Sequence, residues 1–368
     1  MKVSDQRRMK KLLHILNILK FAAGGYVPIT GPLKVSWEVT YKCNSRCMSC
    51  QRWKNPGNKN YLSYAEGRRL LAQLADINVP NISFTGGEPL LRPDIYDLIA
   101  YAKSLKMKTS LSSNGLIINE KIVKRICRSG LDILYLSLDG GSPEIHDVLR
   151  GVQGSYKRTI NAIQLIHGSK EKHKPRVFVN TTVNKKNVTD LMNIAKICKE
   201  FDVAGITIQP VHDFGDLQLA IEDELRLNVD ISVLHNQIEA LVKDYGKFLP
   251  VTREYLDNFE TYVKNPNELY KYRCVAAYLT VQINPYGEVF PCPVEFESMG
   301  NLREKSFKEI WYSEQANNLR KRIKGGKHPI CWFDCVAPLN IYMSYMNVFK
   351  FHKFFDLELL KYMLLKIK

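Results

Sequence analysis

The sequence predicts an α/β protein built as a partial (β/α)6 barrel of the TIM type, followed by a small C-terminal unit of different character. Short β-rich apolar runs alternate with longer segments of helical period six times over, the pattern of a parallel sheet with right-handed crossovers. Six units are too few for the closed eight-unit barrel but enough for an open one. Residues 271–340 break the pattern with four cysteines, a Pro-Tyr-Gly turn and few long periodic segments. A chain of 368 residues with 45% hydrophobic content is long enough for one large and one smaller domain.

Residues 1–33 read as a basic amphipathic helix and a linker. Leu12, Leu13, Ile15, Leu16, Ile18 and Leu19 are interleaved with Arg7, Arg8, Lys10, Lys11 and Lys20, and Gly24-Gly25, Pro28 and Pro32 end the helix. The barrel occupies 34–215, with strands expected at Leu33–Thr40, Ile82–Thr85, Lys108–Ser112, Ile133–Leu138, Val177–Val183 and Gly205–Gln209. Helices are expected between them at Tyr64–Ile77, Pro93–Leu105, Glu120–Ser129, Tyr156–Ile166 and Val188–Phe201. Residues 216–270 form a helical bridge to the cysteine-bearing unit, 271–340. The tail, 341–368, is apolar, aromatic and lysine-bearing, the composition of amphipathic helices.

The formal net charge is +16, but it is concentrated at the ends. Residues 1–100 carry 15 Lys and Arg against 7 Asp and Glu, and residues 301–368 carry 13 against 6. Basic ends on a neutral body suggest two local patches facing an anionic surface rather than general nucleic-acid binding. No secretory signal is recognised, because His14, Asn17 and Lys20 interrupt the first apolar stretch. No run reaches the roughly 18 uncharged apolar residues of a spanning helix. The expected compartment is the cytoplasm, with the inner membrane surface as the station the basic ends would favour. Nine cysteines in a reducing compartment are then metal ligands or buried apolar residues, not disulfides. Cys127 and Cys198 fall in helical stretches and are expected to be buried.

Cys43, Cys47 and Cys50 form C-x3-C-x2-C directly after the first strand. Three thiolates within eight residues can reach one small inorganic cluster, whereas a structural zinc or a closed cubane wants four protein ligands. No fourth Cys or His follows within the next 70 residues, so one coordination position stays open, as in catalytic sites. The alternative is a zinc knuckle closed by a distant residue.

The triad resembles the signature of the radical S-adenosylmethionine superfamily. The resemblance implies that Cys43, Cys47 and Cys50 hold a catalytic [4Fe–4S] cluster whose fourth iron is chelated by S-adenosylmethionine (SAM). It further implies reductive cleavage to a 5′-deoxyadenosyl radical that takes hydrogen from a substrate. A low-potential electron donor such as a ferredoxin or flavodoxin is implied as a partner. Met48 stands where many members carry an aromatic residue near the adenine.

Polar and glycine-rich groups follow at the strand ends, where a partial barrel keeps its chemistry. Thr85-Gly86-Gly87-Glu88-Pro89 follows the second strand. Two glycines allow close backbone approach to a ligand, and Glu88 can pair with an ammonium; the segment resembles the family's GGEP motif. Ser112 and Asn114 after the third strand resemble the ribose-side segment. Ser137 after the fourth is also typical, and Arg150 matches an arginine that meets the cofactor carboxylate. Asn180 and Gln209-Pro210 fit the adenine side. Taken singly, each of these is also what a turn or helix cap looks like.

Cys274, Cys292, Cys331 and Cys335 follow with spacings C-x12-G-x4-C and C-x3-C. Four cysteines converging from a hairpin and a later loop suit a tetra-thiolate cluster, with a structural zinc as the alternative. Together with Gly300-Asn301-Leu302 and a Phe307–Trp311 helix, they resemble a SPASM/twitch extension. The resemblance makes the C-terminal unit a small iron–sulfur domain with one auxiliary [4Fe–4S] cluster, shortened because a further C-x5-C-x3-C portion is missing. It spans about residues 34–340 and leaves the ends unexplained. Their composition suits peripheral membrane association and a lipid-type substrate; a peptide substrate is the equal rival. A reading of another class is a non-catalytic zinc or iron–sulfur module gripping nucleic acid through its basic ends.

Overall fold

The computed structural model describes residues 3–50, 52–54, 60–212, 222–294 and 297–346. Helix α1 (Val3–Ala22) leads into β1 (Lys34–Thr40), and the alternation then runs α2 (Tyr64–Asp76), β2 (Asn81–Gly86), α3 (Ile95–Ser104), β3 (Lys108–Ser113), α4 (Glu120–Ser129), β4 (Ile133–Ser137), α5 (Pro143–Arg150), α6 (Ser155–His167), β5 (Arg176–Val183), α7 (Leu191–Glu200) and β6 (Gly205–Pro210). Helices α8 (Ile231–Tyr245) and α9 (Arg253–Lys264) follow. Then come β7 (Thr280–Ile283), β8 (Glu288–Phe290), β9 (Gly300–Asn301), α10 (Phe307–Trp311), α11 (Glu314–Lys324) and α12 (Ala337–Tyr345). Most of the tail, residues 347–368 with its lysines, lies outside the described residues.

Strands β1 to β6 lie side by side, all parallel, in chain order. The sheet is not closed, as a partial barrel requires. The cysteine-bearing unit does not build a separate sheet. Strand β7 pairs in parallel with the free edge of β1, placing Trp37 opposite Ile283, and β8 and β9 extend the sheet antiparallel.

Side chains alternate faces along a strand. On β1, Val35, Trp37 and Val39 are fully buried on one face; Glu38 and Thr40 point the other way, into the barrel. Helix α2 sits directly over Trp37 because it carries Gly67 there, where a Cβ would stand 2.7 Å from the indole. A capping box starts α2: Ser63 Oγ accepts from the Glu66 amide, and the Glu66 carboxylate accepts from the Ser63 amide at 2.8 Å. That carboxylate also meets Arg303 at 2.8 Å, tying the barrel to the C-terminal unit. Among the described residues, no helix is long and apolar enough to cross a membrane.

Candidate active site

The loop after β1 carries the cysteine triad and is fastened from two sides. From the β2 end, the Gly87 amide donates to Thr40 O at 2.7 Å and the Glu88 amide to Lys42 O at 2.8 Å. This approach requires both glycines. A Cβ on Gly86, whose φ is +127°, would lie 2.2 Å from Thr40 O, and one on Gly87 would lie 2.2 Å from Lys42 O. From the α5 end, the Arg46 amide and the Ser45 hydroxyl donate to Arg150 O at 3.0 and 2.9 Å, and the Met48 amide to Leu149 O at 3.0 Å. Gly151, at φ +61°, allows this contact, since a Cβ there would meet Arg46 O at 2.4 Å.

The thiols sit in a polar nest. Cys43 Sγ accepts from the Ser45 amide at 3.4 Å and from Asn114 Nδ2 at 3.8 Å. Cys47 Sγ lies 3.3 Å from the Ser45 hydroxyl and accepts from Arg150 Nη1 at 3.3 Å. Burial pushes the Cys43 thiol up to about 11, and burial also raises Cys50. Among the described residues, no three Cys, His, Asp or Glu side chains stand close enough to hold a single metal ion. The ligand sulfurs of a four-iron cube stand further apart, so a soft-donor triad with Arg150 and backbone donors around it fits that group.

A cavity of about 420 Å³ opens over the triad. Of the predicted cofactor contacts, Gly86, Gly87, Ser112, Asn114, Ser137 and Arg150 line it together with Cys43, Cys47 and Cys50. Glu88 is placed differently. It is fully buried behind the wall and its carboxylate accepts from the Leu90 amide at 3.0 Å, Ser113 Oγ at 3.0 Å and the Asn114 amide at 2.7 Å. Burial raises it to about 7 despite those bonds. Glu88 thus positions Asn114, whose Nδ2 reaches Asn44 Oδ1 at 2.7 Å. Arg150 is shared, meeting Asp139 at 3.3 Å as well as Cys47. Asn180 bonds Thr207 on the next strand, and Gln209 lines the cavity.

Several wall residues carry no motif spacing and are visible only in three dimensions. Glu38, 5% exposed, is held by Arg52 Nε at 2.9 Å and by the Tyr41 hydroxyl at 3.4 Å, while the Arg52 guanidinium lies 4.9 Å from the Tyr41 ring. The one available signal for Glu38 is a charge at an inward position of an otherwise uncharged strand interior. His212, just past β6, stacks on Phe333 with ring centres 3.7 Å apart and accepts from the Trp332 amide at 2.8 Å. Burial pushes His212 down to about 3, so it is neutral. Phe333, Pro293 and Val294 belong to the cysteine-bearing unit and close that side of the cavity.

The second cysteine group is assembled from separate segments. Cys274 precedes β7, Cys292 follows β8, and Cys331 and Cys335 precede α12. The thiols of Cys274, Cys292 and Cys335 are close enough to raise that of Cys331, on top of its burial. Trp332 anchors the group: its indole donates to Tyr255 O at 2.9 Å and stacks on the Tyr255 ring. Four converging thiols form a closed soft-donor set that fits a fully ligated cluster. Cys127 and Cys198 are buried in the core, as expected.

An open parallel barrel with a three-cysteine loop at its mouth and a four-cysteine unit on its edge defines a class, and the comparisons name it. Residues 37–198 match the radical SAM superfamily and residues 274–336 the SPASM iron–sulfur cluster-binding domain. The chain belongs to the SPASM-containing radical SAM enzymes, whose domains imply a [4Fe–4S] cluster, SAM and auxiliary iron–sulfur clusters. It is similar to an AdoMet-dependent heme synthase of Methanosarcina barkeri, 26% identical over 79% of this chain and 84% of that protein. It is also similar to a PqqA peptide cyclase of Rhizobium meliloti, 25% identical over 79% of this chain and 76% of that protein. It shares its fold with Streptococcus suis SuiB bound to SAM, at a TM-score of 0.62 and 18% identity, over 79% of this chain and 68% of SuiB.

Proposed function

We propose that this chain cleaves SAM reductively at a cluster held by Cys43, Cys47 and Cys50, and that the substrate is a peptide presenting one side chain to the cavity. The observation that supports the reading most directly is the shared wall: the cysteine triad and six residues of the predicted cofactor set surround one cavity. When bound, the cluster and SAM supply one-electron cleavage of a sulfonium and a carbon radical that takes hydrogen from the substrate. The protein's own residues bind and orient. Gly86 and Gly87 present backbone groups, Ser112, Asn114 and Ser137 offer hydrogen bonds, and Arg150 places a fixed positive charge beside Cys47 to favour an anionic group there. Cys274, Cys292, Cys331 and Cys335 hold the auxiliary cluster, and a ferredoxin or flavodoxin serves as donor.

Room favours a narrow substrate arm over a rigid macrocycle. About 420 Å³ lies in the range that a single drug-sized ligand fills, so SAM takes most of it. What remains, between the Glu38–Arg52 pair and the His212–Phe333 stack, admits one arm of a substrate. A rigid macrocycle, the kind of product that a heme synthase's name gives, needs a slot across its whole width. A side chain on a peptide, as the name of the peptide cyclase suggests, does not. A lipid-type arm would fit the same room.

The test is anaerobic. Reconstituted protein is expected to carry roughly eight irons, two [4Fe–4S] clusters, and to release 5′-deoxyadenosine from SAM with dithionite. Cys47→Ala abolishes that release and keeps roughly four irons. Deoxyadenosine release by Cys47→Ala at the wild-type rate overturns the assignment.

A further inference from the structure

Helix α1 docks through Phe21 but leaves a second apolar stripe outside while polar side chains are buried beneath it. Beside the buried Phe21, two polar side chains are turned in: His14 Nε2 meets Asn78 O at 2.7 Å, Asn17 is fully buried with its Oδ1 accepting from the Ile29 amide at 2.6 Å, and His14 Nδ1 and Asn17 Nδ2 find no partner among the described residues. A second apolar stripe faces out. Met9, Leu12, Ile15, Leu16 and Leu19 are between 42 and 52% exposed, and Val27 and Ile29 of the following linker are exposed as well. These seven make up most of the exposed large hydrophobic side chains among the described residues. At 3.6 residues per turn the five helix positions share an arc of about 120°, flanked by Lys11 on one side and Lys20 on the other, with Arg8 inside the arc at its N-terminal end. A helix on a globular surface turns its apolar stripe toward the core; leaving the stripe out while burying unpartnered polar atoms costs stability twice over.

The docking is firm. Phe21 packs on Tyr278 with ring centres 4.8 Å apart, the Arg273 guanidinium lies 3.7 Å from the Phe21 ring and donates to Gly25 O at 2.6 Å, and the Tyr278 hydroxyl donates to Asn17 O at 3.1 Å. The stripe is therefore held outward by the fold. Arg8, Lys10, Lys11 and Lys20 are exposed with no acidic residue between positions 6 and 37. Met346 packs in the same small apolar cluster as Ile18 and Ala22, and the sequence that follows it, residues 347–368, carries five lysines against two acids.

We infer that the outward stripe of α1 lies in the interface of an anionic lipid bilayer, with Lys11 and Lys20 at headgroup level, and that the protein works docked on a membrane surface. The test uses the reconstituted full chain and sedimentation with vesicles of phosphatidylcholine, pure or with one quarter phosphatidylglycerol. Wild type is expected to bind the anionic vesicles and to bind pure phosphatidylcholine weakly. Ile15→Glu with Leu16→Glu lowers binding at least about a hundredfold, the transfer of two large apolar side chains. Lys11→Gln with Lys20→Gln lowers it about fivefold per lysine on anionic vesicles only. Both variants release deoxyadenosine at the wild-type rate, since α1 contributes nothing to the cavity. Equal binding by wild type and the Ile15/Leu16 variant overturns the inference. So does a wild-type dimer that the same variant dissociates, which makes the stripe a contact between copies. So does vesicle binding that appears only when residues 347–368 are removed, which makes the tail its cover.

Discussion

The two cysteine groups are assembled by opposite constructions. Cys43, Cys47 and Cys50 sit on one loop, within eight residues, and the fold's effort goes into clamping that loop from outside through Gly87, Glu88, Arg150 and Gly151. Cys274, Cys292, Cys331 and Cys335 come from three segments that only tertiary packing brings together, with Trp332 on Tyr255 as the anchor. A local triad can open one coordination position toward a cavity without losing its shape. A four-part closed set trades that openness for a structural hold on the chain. The expectation is that the first group controls chemistry and the second controls the integrity of the wall that carries Pro293, Val294 and Phe333.

The largest expected effect that can break this contrast is Cys331→Ala. It should halve the iron to roughly four and abolish substrate turnover while substrate-free deoxyadenosine release persists; full iron content in the variant would show that three of the four thiols suffice. Next comes Arg150→Gln, which leaves Asp139 buried without its cation. A loss of about 3–5 kcal/mol in denaturant unfolding is expected, with the cysteine loop as the segment that opens first in hydrogen exchange. A loss under about 1 kcal/mol would mean that the clamp rests on the backbone bonds to Leu149 and Arg150 alone. The smallest effect is a slope. Glu88 in the folded protein titrates at about 7 against 4.5 ordinarily, so the native state holds its proton more tightly than the unfolded chain. Its contribution is fully present below pH 4.5 and is lost as pH rises through 7. Glu88→Gln should flatten the fall in stability over that window, measured as unfolding midpoints from pH 4.5 to 8. An unchanged slope would assign the window to another group.

Much of this architecture was legible in advance because its signals are local. All six barrel strands lie within one residue of the apolar runs that predict them, and α10 matches its predicted bounds, Phe307–Trp311. Helices α5 and α11 were not legible. The first is only Pro143–Arg150, and the second buries few apolar residues among many charges. The pairing of β7 with β1 leaves no local trace, since its partners are more than two hundred residues apart. At the site, the cysteines and the glycine pair announce themselves by spacing, but the purpose of the pair differs in part from the expectation. The glycines bring two loops together as well as lining the cavity, and Glu88 braces Asn114 from behind the wall. Glu38, Arg52 and His212 escaped because single polar residues, one inside a strand, one in a short turn and one just past a strand, have no period to read.

The position of β7 bears on how the protein is made. During translation β1 emerges early and can pair with β2 within a few dozen residues, but its other edge stays bare until Thr280–Ile283 leaves the ribosome. Closure of so distant a pair is slow, and an exposed parallel edge is prone to pair with other chains meanwhile. The strand that leads into the Cys43–Cys47–Cys50 loop is thus among the last to be sealed. Iron delivered before that moment meets a loop whose flanking strand still lacks a neighbour. A cell that makes this protein gains by loading its clusters after synthesis is complete.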